Sequence, residues 1–246
     1  FINKVPSFGK SFICIDNKYN NELLKNIKIK NYYTYGINPK SQFYIKNIKQ
    51  AKEFSEFDLS IKLPGKKNIL IKKIKIPLLG IHNIRNSTAA AAVASTIGIP
   101  KEIIKQGLKE FKGVQRRFNK IFTYRETNFY DDYAHHPTEI KEVLNGVRAA
   151  YKKEKIICVF QPHRISRLKD LKREFSLSFK KADTVILCPV YVAGEKLKLG
   201  FNYNNFAKDI IKNSKVNLFL INDQYQLAKF VKSNIHGKKI VIGMGA

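Results

Sequence analysis

Between Tyr32 and Ile76 apolar residues come in short alternating runs, "FYIKNIK", "FDLSIKL" and "ILIKKIKI", broken by Gly, Pro and Asn. Alternation with a period of two predicts half-buried strands, and the breakers around "LPGKKN" predict a hairpin. Ahead of this region "SFICI", residues 11–15, reads as a strand and "NNELLKNI" as a short helix. After it the rhythm changes. The run Ala89 to Ala92 inside "GIHNIRNSTAAAAVASTIGIP" has high helix propensity, Asn or Ser can cap it, and Gly98 with Pro100 ends it. A second helix is predicted from about Lys101 to Phe111.

Beyond Gly113 strand and helix patterns alternate. "NFYDD" predicts a strand, and a helix opens at "HPTE", with Pro137 early, Glu139 near the third position, and Ile140, Val143, Leu144 and Val147 at helical spacing. "KIICVF" predicts a strand, and "SRLKDLKREFSLSF" one helix with Leu168, Leu171 and Phe175 on one face. "DTVILCPV", "NLFLI" and "KIVIG" predict further strands. Unbroken apolar strands alternating with helices imply a mostly parallel sheet covered on both faces, hence an α/β fold. Ligands of such sheets sit beyond the C-terminal strand ends. "DDYAHH" and "QPHR" each follow a strand, so both are expected on one edge.

Composition adds class. The chain has 246 residues, 44% of them hydrophobic, enough for one large or two modest domains with a real core. No apolar run approaches the roughly 20 residues of a membrane helix, and no signal peptide is visible. The odd, widely spaced Cys14, Cys158 and Cys188 lie in apolar runs and read as reduced thiols of a cytoplasmic protein. The chain opens on Phe, its only Met is Met244, and it stops within "IVIGMGA", so both ends read as cut.

The net charge of +27 invites a nucleic-acid reading. The lysines, however, are spread evenly among Ile and Asn rather than gathered into a stripe, so no specific nucleic-acid partner is expected; the basic surface would still draw anionic substrates. Arginine is informative because only eight of the 46 basic residues are Arg. Four of them fall in "GVQRRF" (Arg116, Arg117) and "QPHRISR" (Arg164, Arg167). The guanidinium fork meets phosphate or carboxylate through two bonds, which Lys cannot copy.

Four clusters follow. Asp131 and Asp132 end a strand, where a carboxylate can accept from ribose hydroxyls or cap the main chain. His135 and His136 are adjacent, so their side chains diverge and suit a polar contact at a helix N-terminus better than a shared metal; no metal-ligand set is read from this chain. Arg164 and Arg167, three apart at a helix start, form a receptor for a carboxylate or phosphate, or else a solvated basic helix end. His82, Asn83 and Asn86 head a helix, where the amides can read an adenine edge or cap.

Taken in order, "GIHNIRNSTAAAAVA", "FKGVQRRF", "YDDYAHHPTEI", "FQPHRISR" and "VYVAGE" resemble the Mur ligases across nearly the whole chain. The family has an N-terminal UDP-sugar domain, a central ATPase domain and a C-terminal Rossmann-like domain. The resemblance implies that residues 1–112 are the later part of the central domain and residues 113–246 the C-terminal domain without its last helix. It implies an ATP- and Mg2+-dependent ligase acting on small molecules. The "FQPHR" stretch favours the branch that adds L-alanine to UDP-N-acetylmuramate over the branch that attaches a ready-made tripeptide. By resemblance Asn83 and Asn86 approach the adenine with His82 nearby, Arg117 lies by the phosphates, and Asp132 holds the ribose. His135, Arg164 and Arg167 surround the alanine carboxylate, with His163 close and Tyr133 bounding the pocket. Asp131 and Arg116 receive no role of their own.

Two departures stand out. Ser87 and Thr88 replace small apolar residues, and the segment between Arg117 and Asp131 is short. The phosphate loop and the upstream Glu and His that hold magnesium in the family are absent, as no G-x-x-x-x-G-K-[ST] pattern occurs. This stretch by itself is therefore expected not to catalyse, and its N-terminal part to be the less stable. A basic nucleic-acid-binding domain and a decayed gene product are the rival readings, and the pattern is silent on oligomeric state.

Overall fold

The computed structural model describes residues 2–28, 31–195 and 201–245. The chain divides into two compact units, Phe1–Gly113 and Val114–Ala246. In the first unit a 3-10 turn (Ile2–Lys4) precedes β1 (Ser11–Cys14), α1 (Lys18–Lys25), β2 (Tyr32–Gly36), β3 (Phe43–Gln50), β4 (Ser55–Ile61), β5 (Ile69–Ile76), α2 (Ile81–Thr96) and α3 (Lys101–Glu110). The five strands form one sheet in chain order, parallel from β1 to β3 and antiparallel from β3 to β5. In β4 every second residue, Ser55, Phe57, Leu59 and Ile61, is buried, as a period of two demands.

The pattern "ILIKKIKI" breaks that period with two adjacent lysines. The sheet absorbs the extra residue as a bulge: Phe57 faces Ile74 and Leu59 faces Ile71, so Asp58 alone opposes Lys72 and Lys73. The Lys73 N–H donates to Asp58 Oδ1 at 2.8 Å, and Ile71, Ile74 and Ile76 all stay buried. They join Phe43, Ile45, Phe57, Leu59 and the α2 residues Ile84, Ala91 and Ala92. The first unit thus has a sheet and core of its own.

The second unit holds β6 (Asn119–Tyr124), β7 (Thr127–Asp132), α4 (Pro137–Ala150), β8 (Lys155–Phe160), α5 (Ile165–Asp170), α6 (Lys172–Ser178), β9 (Thr184–Leu187), α7 (Tyr203–Ser214), β10 (Asn217–Leu220), α8 (Gln224–Asn234) and β11 (Lys239–Met244). Its sheet order is β10-β9-β8-β11-β7-β6, and only the β6–β7 pair is antiparallel. Ile157, Ile186 and Val241 pack on one face against Leu227, Phe230 and Val231 of α8. Phe160 points the other way, its ring centroid 5.8 Å from that of Phe175 in α6 and 5.3 Å from that of Phe179. Helices therefore cover both faces, and the fold is the expected α/β.

The chain steps outward through β8, β9 and β10, then returns to place β11 between β8 and β7. Met244 lies in register with both Asp132 and Phe160, so the two strands end level on one edge. Among the described residues no helix is long and apolar enough to cross a membrane.

Two local expectations are corrected, and three elements went unread. Neither Asn nor Ser caps α2; the N-cap is Gly80, without a side-chain bond. Its φ is +91°, and a Cβ there would stand 2.6 Å from Cε1 of His82, so this position needs glycine. The single helix expected over 166–179 is two short ones, parted at Leu171 with φ −117° and ψ 26°. Strand β6 was not anticipated, because its hairpin turns on Arg125 and Glu126 rather than on Asn-Gly. Both residues take positive φ, as a two-residue hairpin loop requires. Helices α7 and α8 were also unread, since Asn, Lys and Gln interrupt their apolar spacing. Ala246, the last residue of "IVIGMGA", lies outside the described residues.

Truncating Phe160, which is fully buried between aromatic neighbours, creates a cavity. Phe160→Ala is expected to cost ~3–5 kcal/mol, measured as a lower urea midpoint with an unchanged slope.

Candidate substrate-binding site

The edge is built from the ends of β7 and β8. In β7 the last two side chains point apart. Asp131 accepts from Nε of Arg116 at 3.1 Å, and Nη2 of Arg116 donates to the Gly245 carbonyl at 2.9 Å. Asp132 turns inward and is 2% exposed. Its Oδ1 accepts the Ala134 N–H at 2.8 Å and its Oδ2 the Phe118 N–H at 2.9 Å. The carboxylate therefore ties the strand end to the "QRRF" segment, the capping role left open above. A further donor can reach it only through the second lone pair of each oxygen. Burial, outweighing these two bonds and the nearby Arg117, lifts its pKa to about 6.

The two histidines part company. His136 is the N-cap of α4, and its Nδ1 accepts the Thr138 N–H at 3.3 Å. Glu139 reaches back and accepts the N–H groups of His135 and His136 at 3.1 and 3.2 Å. His135 turns to the site instead. Its Nδ1 lies 2.9 Å from the Tyr133 carbonyl, which can only accept, so Nδ1 carries the hydrogen and Nε2 is left for a partner. The His135 and Tyr133 rings meet edge to face at 4.9 Å. The Tyr133 ring carries the Arg116 guanidinium at 4.8 Å, with that of Arg117 at 6.0 Å.

From β8 come His163, Arg164 and Arg167. The His163 and His135 rings are 6.1 Å apart, which joins the two strand ends into one cluster. Nη1 of Arg167 stands 3.5 Å from Nδ1 of His163. Burial, then Arg167, Arg164 and His135, hold the pKa of His163 below its ordinary value, so the ring is neutral near pH 7. Arg164 is the residue preceding α5 and sits at φ 68°, ψ 129°. An L-residue held there costs on the order of 1–3 kcal/mol, and such strain clusters at functional sites. Among the described residues neither Arg164 nor Arg167 forms an ion pair.

The helix N-terminus expected to share in the anion receptor is occupied. Glu195 accepts the Ser166 N–H at 3.1 Å and the Ser166 hydroxyl at 2.5 Å. The helix end therefore has no free place for an anion at Ser166, and the two guanidinium forks remain. Unremarked in the sequence reading, Gly245 closes the edge: its φ is +141°, and a Cβ would stand 2.4 Å from the Gln161 carbonyl oxygen. A glycine after a C-terminal strand was the only available signal.

In the first unit α2 carries the amide cluster. Nδ2 of Asn83 donates to the Leu79 carbonyl at 2.7 Å, which leaves its Oδ1 as the outward acceptor. Asn86 is exposed and His82 half-buried over Gly80. Thr88, unexpected in the Ala stripe, is buried with its hydroxyl donating to the Ile84 carbonyl at 2.8 Å. Asp16, which no motif singled out, accepts the Ile37 and Asn38 N–H groups and Nε of Arg85 at 2.7 Å, tying α2 to the ends of β1 and β2. No three His, Cys, Asp or Glu side chains gather as a metal cluster among the described residues.

A mixed-sheet unit is thus followed by a mostly parallel α/β unit with carboxylate, imidazole and guanidinium groups on one strand edge. Family models place the chain: "Mur ligase middle domain" matches residues 1–94 and "Mur ligase, glutamate ligase domain" matches residues 116–246. The chain belongs to the Mur ligase family. It is 80% identical over 246 residues to the UDP-N-acetylmuramate–L-alanine ligase of Pelagibacter ubique (strain HTCC1062), covering all of this chain and 53% of that protein. It is 36% identical over 248 residues to the enzyme of the same name from Bartonella tribocorum, covering all of this chain and 52% of that one. The crystal structure of the UDP-N-acetylmuramate-alanine ligase of Thermotoga maritima shares the fold, with a TM-score of 0.68 at 24% identity over 87% of this chain and 44% of that one. The chain spans about half the length of the curated relatives it matches.

Asp132 makes stability depend on pH. With a folded pKa of about 6 against an ordinary 3.8, the folded protein binds more protons than the unfolded chain between those values. Its stabilising share is complete below pH 4 and lost as pH rises through about 6, by at most ~3 kcal/mol. The wild type should therefore lose stability relative to Asp132→Asn between pH 4 and pH 7 in urea titrations. A constant difference, or one of opposite sign, would contradict the assignment.

Proposed function

We propose that this chain carries the amino-acid receptor and part of the nucleotide receptor of an ATP-dependent ligase. The reaction joins L-alanine to UDP-N-acetylmuramate in peptidoglycan precursor synthesis. The observation that carries this reading is the cluster at the ends of β7 and β8, where Tyr133, His135 and His163 link the Asp132 corner to two arginines without ion-pair partners among the described residues. The names of the relatives support L-alanine as the amino acid. Unpaired cysteines and dependence on ATP suit work in the cytoplasm.

In this reading Asn83 and Asn86, with His82, read the adenine, while Arg117 and Asp132 serve the phosphates and ribose. His135, His163, Arg164 and Arg167 receive the alanine carboxylate, and Tyr133 bounds a pocket for a small side chain. The muramate carboxylate takes the γ-phosphoryl group of ATP to become an acyl phosphate. The alanine amine then attacks the acyl carbon, and the tetrahedral intermediate expels phosphate to leave an amide. Magnesium, accompanying ATP, neutralises phosphate charge; the described residues offer no cluster to which its ligands can be assigned. What this chain contributes is orientation. Two forks fix the carboxylate of alanine, and with it the direction of the amine, which replaces a search through solution by a held geometry.

Phosphate release by the full-length protein, with ATP and UDP-N-acetylmuramate present, tests the reading. Release that requires L-alanine supports it; release that requires a tripeptide instead identifies the other branch, and tight, salt-sensitive DNA binding unaffected by ATP the non-enzymatic alternative. Arg164→Ala is expected to raise the KM for alanine by on the order of 10²-fold, since a hydrogen bond to a charged group is worth ~1.5–3 kcal/mol. An unchanged KM would remove Arg164 from the receptor.

A further inference from the structure

We propose that the "VYVAGE" loop, residues 190–195, is the positioning element of the amino-acid receptor, with Glu195 and Tyr191 holding Arg164 and His163 in place. The proposal rests on the alanine reading given above and assigns the one motif that reading leaves without a task.

Three sets of contacts converge on the strained residue. The Arg164 N–H donates to the Tyr191 carbonyl at 2.9 Å, and the Tyr191 N–H donates to the Pro162 carbonyl at 2.8 Å. His163 and Tyr191 thus pair like one rung of a parallel ladder. Their rings stack, with centroids 5.5 Å apart and planes 23° from parallel. Four residues beyond Tyr191, Glu195 accepts both the N–H and the hydroxyl of Ser166. The loop therefore grips the chain on either side of Arg164.

That grip explains the backbone. Arg164 lies at φ 68° and ψ 129°, which an L-residue leaves unless its neighbours are fixed. Ser166 is the second residue of α5, and without Glu195 its N–H and hydroxyl lose their partner. The first turn can then unwind and let Arg164 return to negative φ, which swings its guanidinium away from Arg167 and His163. Glu195 has a second effect. It sets a negative charge near Arg164.

Glu195 touches no reacting atom in this scheme, so its removal should change the affinity for alanine and little else. In the full-length enzyme Glu195→Ala is expected to raise the alanine KM by about 10- to 100-fold while kcat stays within about threefold and the KM for ATP is unmoved. Glu195→Gln retains one acceptor oxygen for Ser166 and should bring the alanine KM back to within about fivefold of wild type. Ser166→Ala removes the hydroxyl from the other side. It should raise the alanine KM a few-fold by itself and add nothing in the Glu195→Ala background, because the two changes break one contact.

An alanine KM within twofold of wild type in Glu195→Ala overturns the proposal, and so does an equal rise in the KM for ATP, the mark of general loosening. Should Glu195→Ala not fold, Glu195→Gln and Ser166→Ala decide: an unchanged alanine KM in both is equally fatal. A wild-type enzyme whose phosphate release ignores alanine is a separate outcome, and overturns the receptor reading itself.

Discussion

Strand β11 enters the second unit last and lies between β7 and β8, parallel to both, and the site depends on that insertion. Because Met244 is level with Asp132 on one side and Phe160 on the other, two loops separated by a helix and a strand in sequence start from the same height. A shift of one residue in either register would turn alternate side chains to the opposite face. Asp132 would then lose its inward position and Phe160 its aromatic partners. Parallel pairing of this kind needs apolar strands buried on both faces, which Ile156, Cys158, Ile240 and Ile242 supply on one side and Ile157 and Val241 on the other.

On this edge the protein satisfies its own helix ends with its own carboxylates. Glu139 takes the N–H groups that precede α4, and Glu195 takes the first turn of α5. The positive helix termini are thereby neutralised internally, and what faces outward is side-chain chemistry. Arg164 and Arg167 give charge with a fixed fork, while His135 presents Nε2 and His163 stays neutral beside the two cations. Asp132 works at a tension between burial and hydrogen bonding. It serves first as the clasp between β7 and the segment Arg116–Phe118, and any ligand that uses it must share it with the main chain.

Much of this was legible where chemistry is local. The scarcity of Arg marked Arg164 and Arg167, the strand-to-helix hinge marked Asp132 and His135, and Pro137 with Glu139 marked the start of α4. What failed were signals whose cause lies elsewhere in the molecule. The β6–β7 hairpin turns on Arg125 and Glu126, residues that take positive φ only because the strands on either side pair. The N-cap of α2 is Gly80 and not an Asn or Ser, because the ring of His82 fills the space above it. The break at Leu171 lies in a stretch whose apolar spacing is continuous, so periodicity alone could not show it.

By itself the sequence determined most of the strands and helices, though not β6, α7 or α8, and which residues carry charge, since propensity, apolar period and side-chain type act over a few neighbours. It also determined family, through five ordered motifs. Tertiary structure alone decided that Asp132 is buried while Asp131 pairs with Arg116, that His136 caps a helix while His135 faces the site, and that Glu195 closes the turn beside Arg164. Those outcomes depend on strand register and on contacts between residues far apart in the chain. Only the assembled sheet settles which of two adjacent, chemically identical side chains points inward.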